Sequence, residues 1–361
     1  MTAGRHTNVH AKKHAGNELS QREELILRYI VQNYILTASP VGSRNLSKRL
    51  EEESISAATI RNTMADLEEK GYISHPHTSA GRVPTDRGYR FYVDTLVRSG
   101  RLSDAERNVI RKNIDPTAPT PVLMKEASRL IGLISHQLGL MRAPELLDSI
   151  LDRLEMVPIS TNRVLVVLSL RAGLIRTVTL EVHNQELSRD RLDGIVRVLN
   201  ERLAGLTLRE IRSSCHERLR DTVQGPEGTL MHVLLNSADR IFTEASDIER
   251  VQVSPTQNIL RHPEFADPEQ VRGIVELIEN EEMVVHLLDS HAGDGRSVEI
   301  TIGEEHHNER MLGYSLITTR YRVGSTTGTI GLIGPKRMDY SRMITIVEYI
   351  AKTISDNFQE R

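Results

Sequence analysis

Between Ser54 and Arg90 the chain reads SISAATIRNTMADLEEKGYISHPHTSAGRVPTDRGYR, and the side chains in it that could do chemistry are of the kinds that meet nucleic acid. A guanidinium donates two hydrogen bonds to guanine, a carboxamide pairs with adenine, and Thr or Ala methyls suit the thymine methyl. Arg61, Asn62, Thr59 and Ala57 bring these groups into the first two turns of one short helical pattern, with Ser56 as its N-cap. The loop that follows offers His77, Thr78, Ser79, Gly81 and Arg82. Hydroxyls, backbone N–H groups and close approach at small residues suit phosphate oxygens, and Arg82 suits phosphate or the minor groove. Ser43 and Arg44, at the start of an earlier helix, and Arg87, on a later one, complete the candidate DNA-contacting set.

Three short helices must carry these residues. Leu27, Ile30, Val31 and Tyr34 recur at i, i+3, i+4 and i+7 after a capping Ser20, which predicts a first helix ending near Thr37. Pro40 and Gly42 break it. Ser43 is read as the cap of a second helix with Leu46 and Leu50, and Ile60, Met64 and Leu67 predict a third that Gly71 closes. Tyr72 and Ile73 read as a strand returning through Val83, and Thr85 caps a helix with the stripe Tyr89, Tyr92, Val93 and Leu96. That order is the build of a winged helix-turn-helix, which sets its third helix in the major groove and a basic loop beside it. A plain packing or protein-interaction module has the same periodicity. The acidic Asp66, Glu68 and Glu69 sit toward the far end of the third helix, where they are expected to face away from phosphate.

Composition narrows the class. A chain of 361 residues with 39% hydrophobic content holds enough material for two or three packed domains. The net charge of -3 is no blanket attraction for polyanions, although the first hundred residues carry a small basic excess and the rest a small acidic one. One cysteine, Cys215, excludes an intramolecular disulfide framework and a Cys-rich zinc cluster. The first residues are basic and polar without an apolar core, and apolar runs such as Val164 to Leu170 fall far short of the ~20 residues that span a bilayer. The expectation is a soluble cytoplasmic protein with no membrane partner.

The strings PVGSRNLSKR, ISAATIRNTMADLEEKGYI, HTSAGRVPTDRGYRFYVDTL and, far downstream, GPKRMDYSRMITIVEYIA are similar to those of the HrcA family of heat-inducible transcription repressors, in the family's order and spacing from about Ser20 to the end. The resemblance implies an α+β multidomain protein: an N-terminal winged helix-turn-helix, a GAF-like α/β domain, and a mainly helical dimerisation domain inserted into it. It implies a repressor of chaperone operons that binds double-stranded DNA at an inverted repeat of the CIRCE type, is released on heat shock, and has its active fraction restored by a GroEL-type chaperonin. The His- and Lys-bearing extension before Ser20 departs from that pattern.

The body of the chain fits such an order. Ser103 to Leu151 reads as helical around a Pro-rich hinge at Asp115 to Pro121, with Leu130, Ile134, Leu138 and Met141 as one face. Arg163 to Arg171 and Leu174 to Val182 read as a hairpin through Ala172 and Gly173. Helices are expected from Asp190 to Glu249, with Leu192, Ile195, Val196 and Leu199 as one stripe and Leu230, Val233, Leu234 and Ile241 as another. Strands are expected at Val298 to Ile302, Leu312 to Val323 and Gly328 to Gly334, then a helix from Asp339 to Phe358. The expected division is a disordered extension over 1–18, a DNA-binding domain over 19–100, a GAF-like domain over 101–187 and 266–361, and an inserted dimerisation domain over 188–265. Apolar stripes in the insert need a partner, and a two-fold dimer presents two reading helices to an inverted repeat.

Other constellations carry less. GTIGLIGPK has neither phosphate-loop spacing and reads as a strand-to-helix corner. GEEHHNE, from Gly303 to Glu309, reads as a solvated loop, since adjacent histidines on a strand face opposite ways. His75 and His77 lack a second ligand pair for a metal, and His6, His10 and His14 lie in the polar tail. Cys215 and His216 are sequence neighbours, which on a helix do not face one another. No catalytic set, cofactor or metal is therefore expected. The competing reading is a winged-helix regulator controlled by a small ligand in the GAF-like domain.

Overall fold

Ser20 opens the first helix through a capping box: its hydroxyl accepts from the Glu23 N–H, and the Glu23 carboxylate accepts from the Ser20 N–H. The structure, a computed structural model, describes residues 19–50, 55–76, 81–97, 100–115, 118, 120–171, 174–182, 188–224, 228–242, 251–290, 298–324 and 326–359. The N-terminal extension and the expected hairpin turn at Ala172 and Gly173 lie outside the described residues.

The head consists of α1 (Gln21–Thr37), α2 (Ser43–Arg49), α3 (Ala57–Glu69), a small hairpin of β1 (Ile73–Ser74) and β2 (Val83–Pro84), and α4 (Asp86–Phe91), which runs on as a π-helical turn over Tyr92–Leu96. Ile26, Leu27, Ile30 and Val31 of α1, Leu46 of α2, and Ile60, Met64 and Leu67 of α3 are buried in one core, as the periodicity requires. Gly71 ends α3 at φ 77, which a side chain would resist. One cap differs from expectation: Gly42 occupies the N-cap of α2, and Ser43 is its first helical residue.

The body follows as α5 (Asp104–Asn113), α6 (Thr120–Ser135), β3 (Leu138–Arg142), β4 (Leu151–Ser160), β5 (Arg163–Leu170), β6 (Ile175–Glu181), α7 (Arg189–Leu203), α8 (Leu208–Arg218), α9 (Gly228–Asn236), α10 (Ala238–Phe242), β7 (Val251–Val253), two helices (Pro268–Glu279 and Glu281–Ser290), β8 (Glu299–Ile302), β9 (Tyr314–Val323), β10 (Thr326–Pro335) and a closing helix, Tyr340–Gln359. It is a mixed α/β protein. The larger sheet has the order β7-β3-β10-β9-β8, with every neighbouring pair antiparallel. Both its faces are covered. Met141, Ile317, Ile330 and Leu332 join the core shared with α6 and the closing helix, while Leu138, Leu140, Leu316 and Ile333 pack with Ile274, Leu277 and Leu287 of the two helices over Pro268–Ser290. Burial on both sides explains one misreading: Leu138 and Met141, expected on a helix, lie on β3, whose five residues are all buried and so show no alternation.

Strands β4, β5 and β6 form a separate three-stranded sheet rather than sharing one with the later strands. Val164, Val166, Leu168 and Leu170 alternate inward from β5, and α7 covers that face. Asn200 of α7 pairs with the backbone of β4, accepting from the Leu154 N–H at 2.7 Å and donating to its carbonyl at 2.8 Å. The expected strand-to-helix corner in GTIGLIGPK is also absent: Gly328, Gly331 and Gly334 all lie within β10. A Cβ on Gly328 would meet the Tyr321 ring at 2.4 Å, and one on Gly334 would meet the Gln137 amide at 2.3 Å. Among the described residues no helix is long and apolar enough to cross a membrane.

The head's packing depends on one small residue in α4. A Cβ on Gly88 would stand 2.1 Å from the Tyr72 carbonyl oxygen, a backbone atom that cannot swing aside. Gly88→Ala is expected to cost at least roughly 1–3 kcal/mol, read as faster hydrogen exchange across α1–α4 with the amides of the larger sheet unchanged.

Candidate nucleic-acid interface

Ser56 caps α3, accepting from the Thr59 N–H at 3.1 Å, and so fixes which residues the first turns present. Ile60, Thr63, Met64 and Leu67 point inward, leaving Ala57, Arg61 and Asn62 exposed together at the N-terminal half. Thr59 is half-buried, and its hydroxyl lies 2.9 Å from that of Ser56, so part of its hydrogen-bonding capacity serves the cap. Arg44 is exposed at the start of α2 and Ser43 is half-buried beside it.

The second contact region is anchored differently from the expectation. The backbones of Val41 and Arg82 exchange two hydrogen bonds, at 2.8 and 2.9 Å, which bind the base of the loop to the turn between α1 and α2. That contact explains Gly81, where a Cβ would come within 2.6 Å of the Val41 carbonyl carbon; its smallness serves close packing inside the head. The loop tip, with the expected contacts His77, Thr78 and Ser79, lies outside the described residues.

The Arg82 guanidinium is 2.7 Å from the Glu68 carboxylate, which His75 Nδ1 also meets. Helical phase alone turns Glu68 away from the contact surface; in the folded head it reaches across to the hairpin. Partial burial pushes its carboxyl up, but the bonds from His75 and Arg82 outweigh this and hold it below the ordinary carboxylate range. A depressed folded value means that the tie contributes above the unfolded pKa of about 4.3 and is lost as pH falls through the folded value.

Arg87 is not grouped with the others. Its guanidinium donates to the Lys70 carbonyl at 2.8 Å and lies 4.5 Å over the Tyr72 ring, at the C-terminal end of α3. A cation there answers the unpaired carbonyls of the helix end. Lys70 itself is tied back to Glu23 of α1 at 2.6 Å.

The head also meets the body, through Arg90, whose place on α4 beside Arg87 lets it reach a neighbouring domain, and through Asp86, Lys336 and Arg337, to which the sequence alone assigns no role. Asp86, the first residue of α4, accepts from the Glu304 N–H at 3.0 Å and pairs with Lys336. Arg90 donates to the Ile300 carbonyl at 2.6 Å and pairs with Glu305 and Asp94. Arg337 donates to the Ile35 carbonyl at 2.6 Å and to Glu264 at 2.7 Å. GEEHHNE, expected as a solvated loop, is thus a short 3-10 turn that docks the head. Cys215 is buried in α8, where burial pushes its thiol up.

A small helical head that presents an arginine and an asparagine on one helix, clasped to a mixed α/β body, is the kind of arrangement expected of a transcription regulator. The comparisons agree. The profile of the HrcA protein C-terminal domain matches residues 122–344. The chain is 41% identical over 350 residues to the heat-inducible transcription repressor HrcA of Chlorobium phaeobacteroides (strain BS1), covering 94% of this chain and 98% of that one. It is 39% identical over 341 residues to the repressor of the same name from Chlorobium chlorochromatii (strain CaD3), covering 94% and 97%. A crystal structure of a hypothetical protein at 2.2 Å resolution superposes with a TM-score of 0.63 at 25% identity, covering 95% of this chain and 99% of that one. The chain belongs to the HrcA family and is a heat-inducible transcription repressor.

If Arg82 contacts phosphate, Glu68 competes for it, and Glu68→Gln is then expected to strengthen binding to duplex DNA of any sequence. Neutralising that carboxylate should also steepen the salt dependence by up to about one unit of slope. Fluorescence anisotropy over a salt series measures both, and an unchanged slope would remove Arg82 from the interface.

Proposed function

We propose that the head is a winged helix that reads an inverted-repeat operator of the CIRCE type as one half of a homodimer, and that heat releases it. The observation carrying this reading is the joint exposure of Ala57, Arg61 and Asn62 on the N-terminal half of a capped α3, where recognition helices make their base contacts. Ser43, Arg44, Ser56, Thr59, Gly81 and Arg82 flank that surface as backbone-positioning contacts, and His77, Thr78 and Ser79, outside the described residues, are candidate contacts by residue type alone.

The GAF-like domain corresponds in this reading to the larger sheet with its helices, and the inserted domain to residues 143–250. The support is in the strand pairing: Arg142 at the end of β3 lies opposite Val251 at the start of β7, so the chain leaves and re-enters the sheet at neighbouring points. The insert therefore includes β4–β6 as well as α7–α10, and is wider than the helical stretch that periodicity marks.

The same unit supplies the dimer contact. The face of β4–β6 turned away from α7 leaves Val157, Ile159 and Ile175 exposed, with Val157 opposite Leu165 across the strands. Exposed apolar side chains on one sheet face are what a second copy can bury. A GroEL-type chaperonin, implied by the sequence resemblance, acts in this reading on chains that heat has loosened.

A gel shift with an inverted-repeat chaperone operator and a scrambled copy, at two salt concentrations, tests the reading. Arg61→Ala should cost about 1–3 kcal/mol on the operator and little on the scrambled duplex. If both affinities fall in parallel, Arg61 does not read bases. Val157→Asp should move the protein toward monomer in sedimentation velocity, and an unaltered dimer would displace the contact from this sheet.

A further inference from the structure

Charged side chains tie the head to the body at the end of α1 and at two places one turn apart on α4. Arg337, just past β10, donates to the Ile35 carbonyl in the last turn of α1 and is braced by Glu264. Its neighbour Lys336 reaches Asp86 at the start of α4, which also accepts from the Glu304 N–H. One turn along, Arg90 donates to Ile300 of the edge strand β8 and pairs with Glu305. Beyond α4 the linker is clipped too, as the Gly100 N–H donates to the Thr345 hydroxyl at 2.9 Å on the closing helix.

One such contact would leave a pivot, whereas several on two elements of the head, α1 and α4, limit its rotation. Stability alone does not call for charges here, because apolar groups of similar volume avoid the desolvation cost of ion pairs. What guanidinium and carboxylate add is direction, since each bond holds only over a narrow angle. The gripping points on the head lie in α1, α4 and the linker. None belongs to the first two turns of α3 or to the hairpin, so the clasp and the reading surface use different residues.

We propose that this clasp is a positioning device: Asp86, Arg90, Lys336 and Arg337 fix the angle and separation of the two reading helices in the dimer, and thereby select the operator's half-site spacing. This rests on the reading of the head as half of a dimeric operator binder. Successive major grooves on one side of a duplex recur every 10–10.5 base pairs or so, and a head held at a set angle accepts only spacings in phase with that repeat. A head on a loose tether accepts several.

The test uses the full chain and the double variant Lys336→Ala, Arg337→Ala, which removes from the body side the grips on Ile35 and on the Asp86 carboxylate and leaves every residue of the head in place. Affinities are measured for a single half-site duplex and for inverted repeats whose central spacer is lengthened one base pair at a time through half a turn. The wild type should lose about 100-fold at half a turn, the order of the advantage that simultaneous engagement gives. The variant should lose less than about tenfold with an unchanged half-site affinity, a pattern that mere destabilisation does not produce. A variant that keeps the wild-type spacing profile overturns the proposal. If the wild type gains nothing from a second half-site, the dimeric reading falls and takes the clasp's role with it. Should the double variant not fold, Glu305→Gln, which loosens Arg90 from the body side, goes through the same series: a flattened spacing profile supports the clasp, and a wild-type profile overturns it.

Discussion

Arg90 joins the two parts of the molecule, because a half-buried guanidinium must be answered by acceptors where it leaves water. Burial by itself would push its pKa down, but Glu305 and Asp94 outweigh that and raise it, so the group stays charged. Two of its acceptors, Glu305 and the Ile300 carbonyl, belong to the body, and Asp94 belongs to the head. The Ile300 carbonyl lies on β8, an edge strand whose outer hydrogen-bonding groups would otherwise face solvent. Head and body therefore complete one another electrostatically: without the head, Glu305 and the Ile300 carbonyl lose Arg90, and without the body Arg90 loses two of its acceptors.

The strings by which the chain resembles its family owe part of their composition to this junction. PTDRGYR supplies Asp86, Tyr89 and Arg90, and GPKRMDY supplies Lys336, Arg337 and Tyr340. Asp86 meets Lys336, and the Tyr89 and Tyr340 rings lie 6.1 Å apart between centroids. Charged residues in a DNA-binding region invite assignment to phosphate, and Arg87 shows the hazard, since its partners are a helix-end carbonyl and an aromatic face.

Where one side of an element faces the core and the other faces water, its period is legible from the residues alone. The stripes of α1, α3 and the closing helix are of this kind, as are the caps at Ser20, Ser56 and Thr85. Legibility fails at β3, where burial on both faces erases the alternation; β10 is legible as a strand, but its glycines, read as a corner, instead make room for Tyr321 and Gln137. Of the candidate site, the exposure of Arg61 and Asn62 follows from helical phase. The reach of Glu68 to Arg82 does not, because it joins elements whose relative placement only the folded head decides.

The meeting of Arg142 with Val251 bears on how such a molecule could have arisen. Two residues paired across adjacent antiparallel strands can be joined by a tight hairpin, so the larger sheet has no topological need of the 143–250 segment. In the reading proposed above, the architecture is that of a five-stranded unit into whose turn a separate module is inserted. The two parts can then diverge at different rates, the sheet constrained by the head it holds and the module by whatever its open face must match.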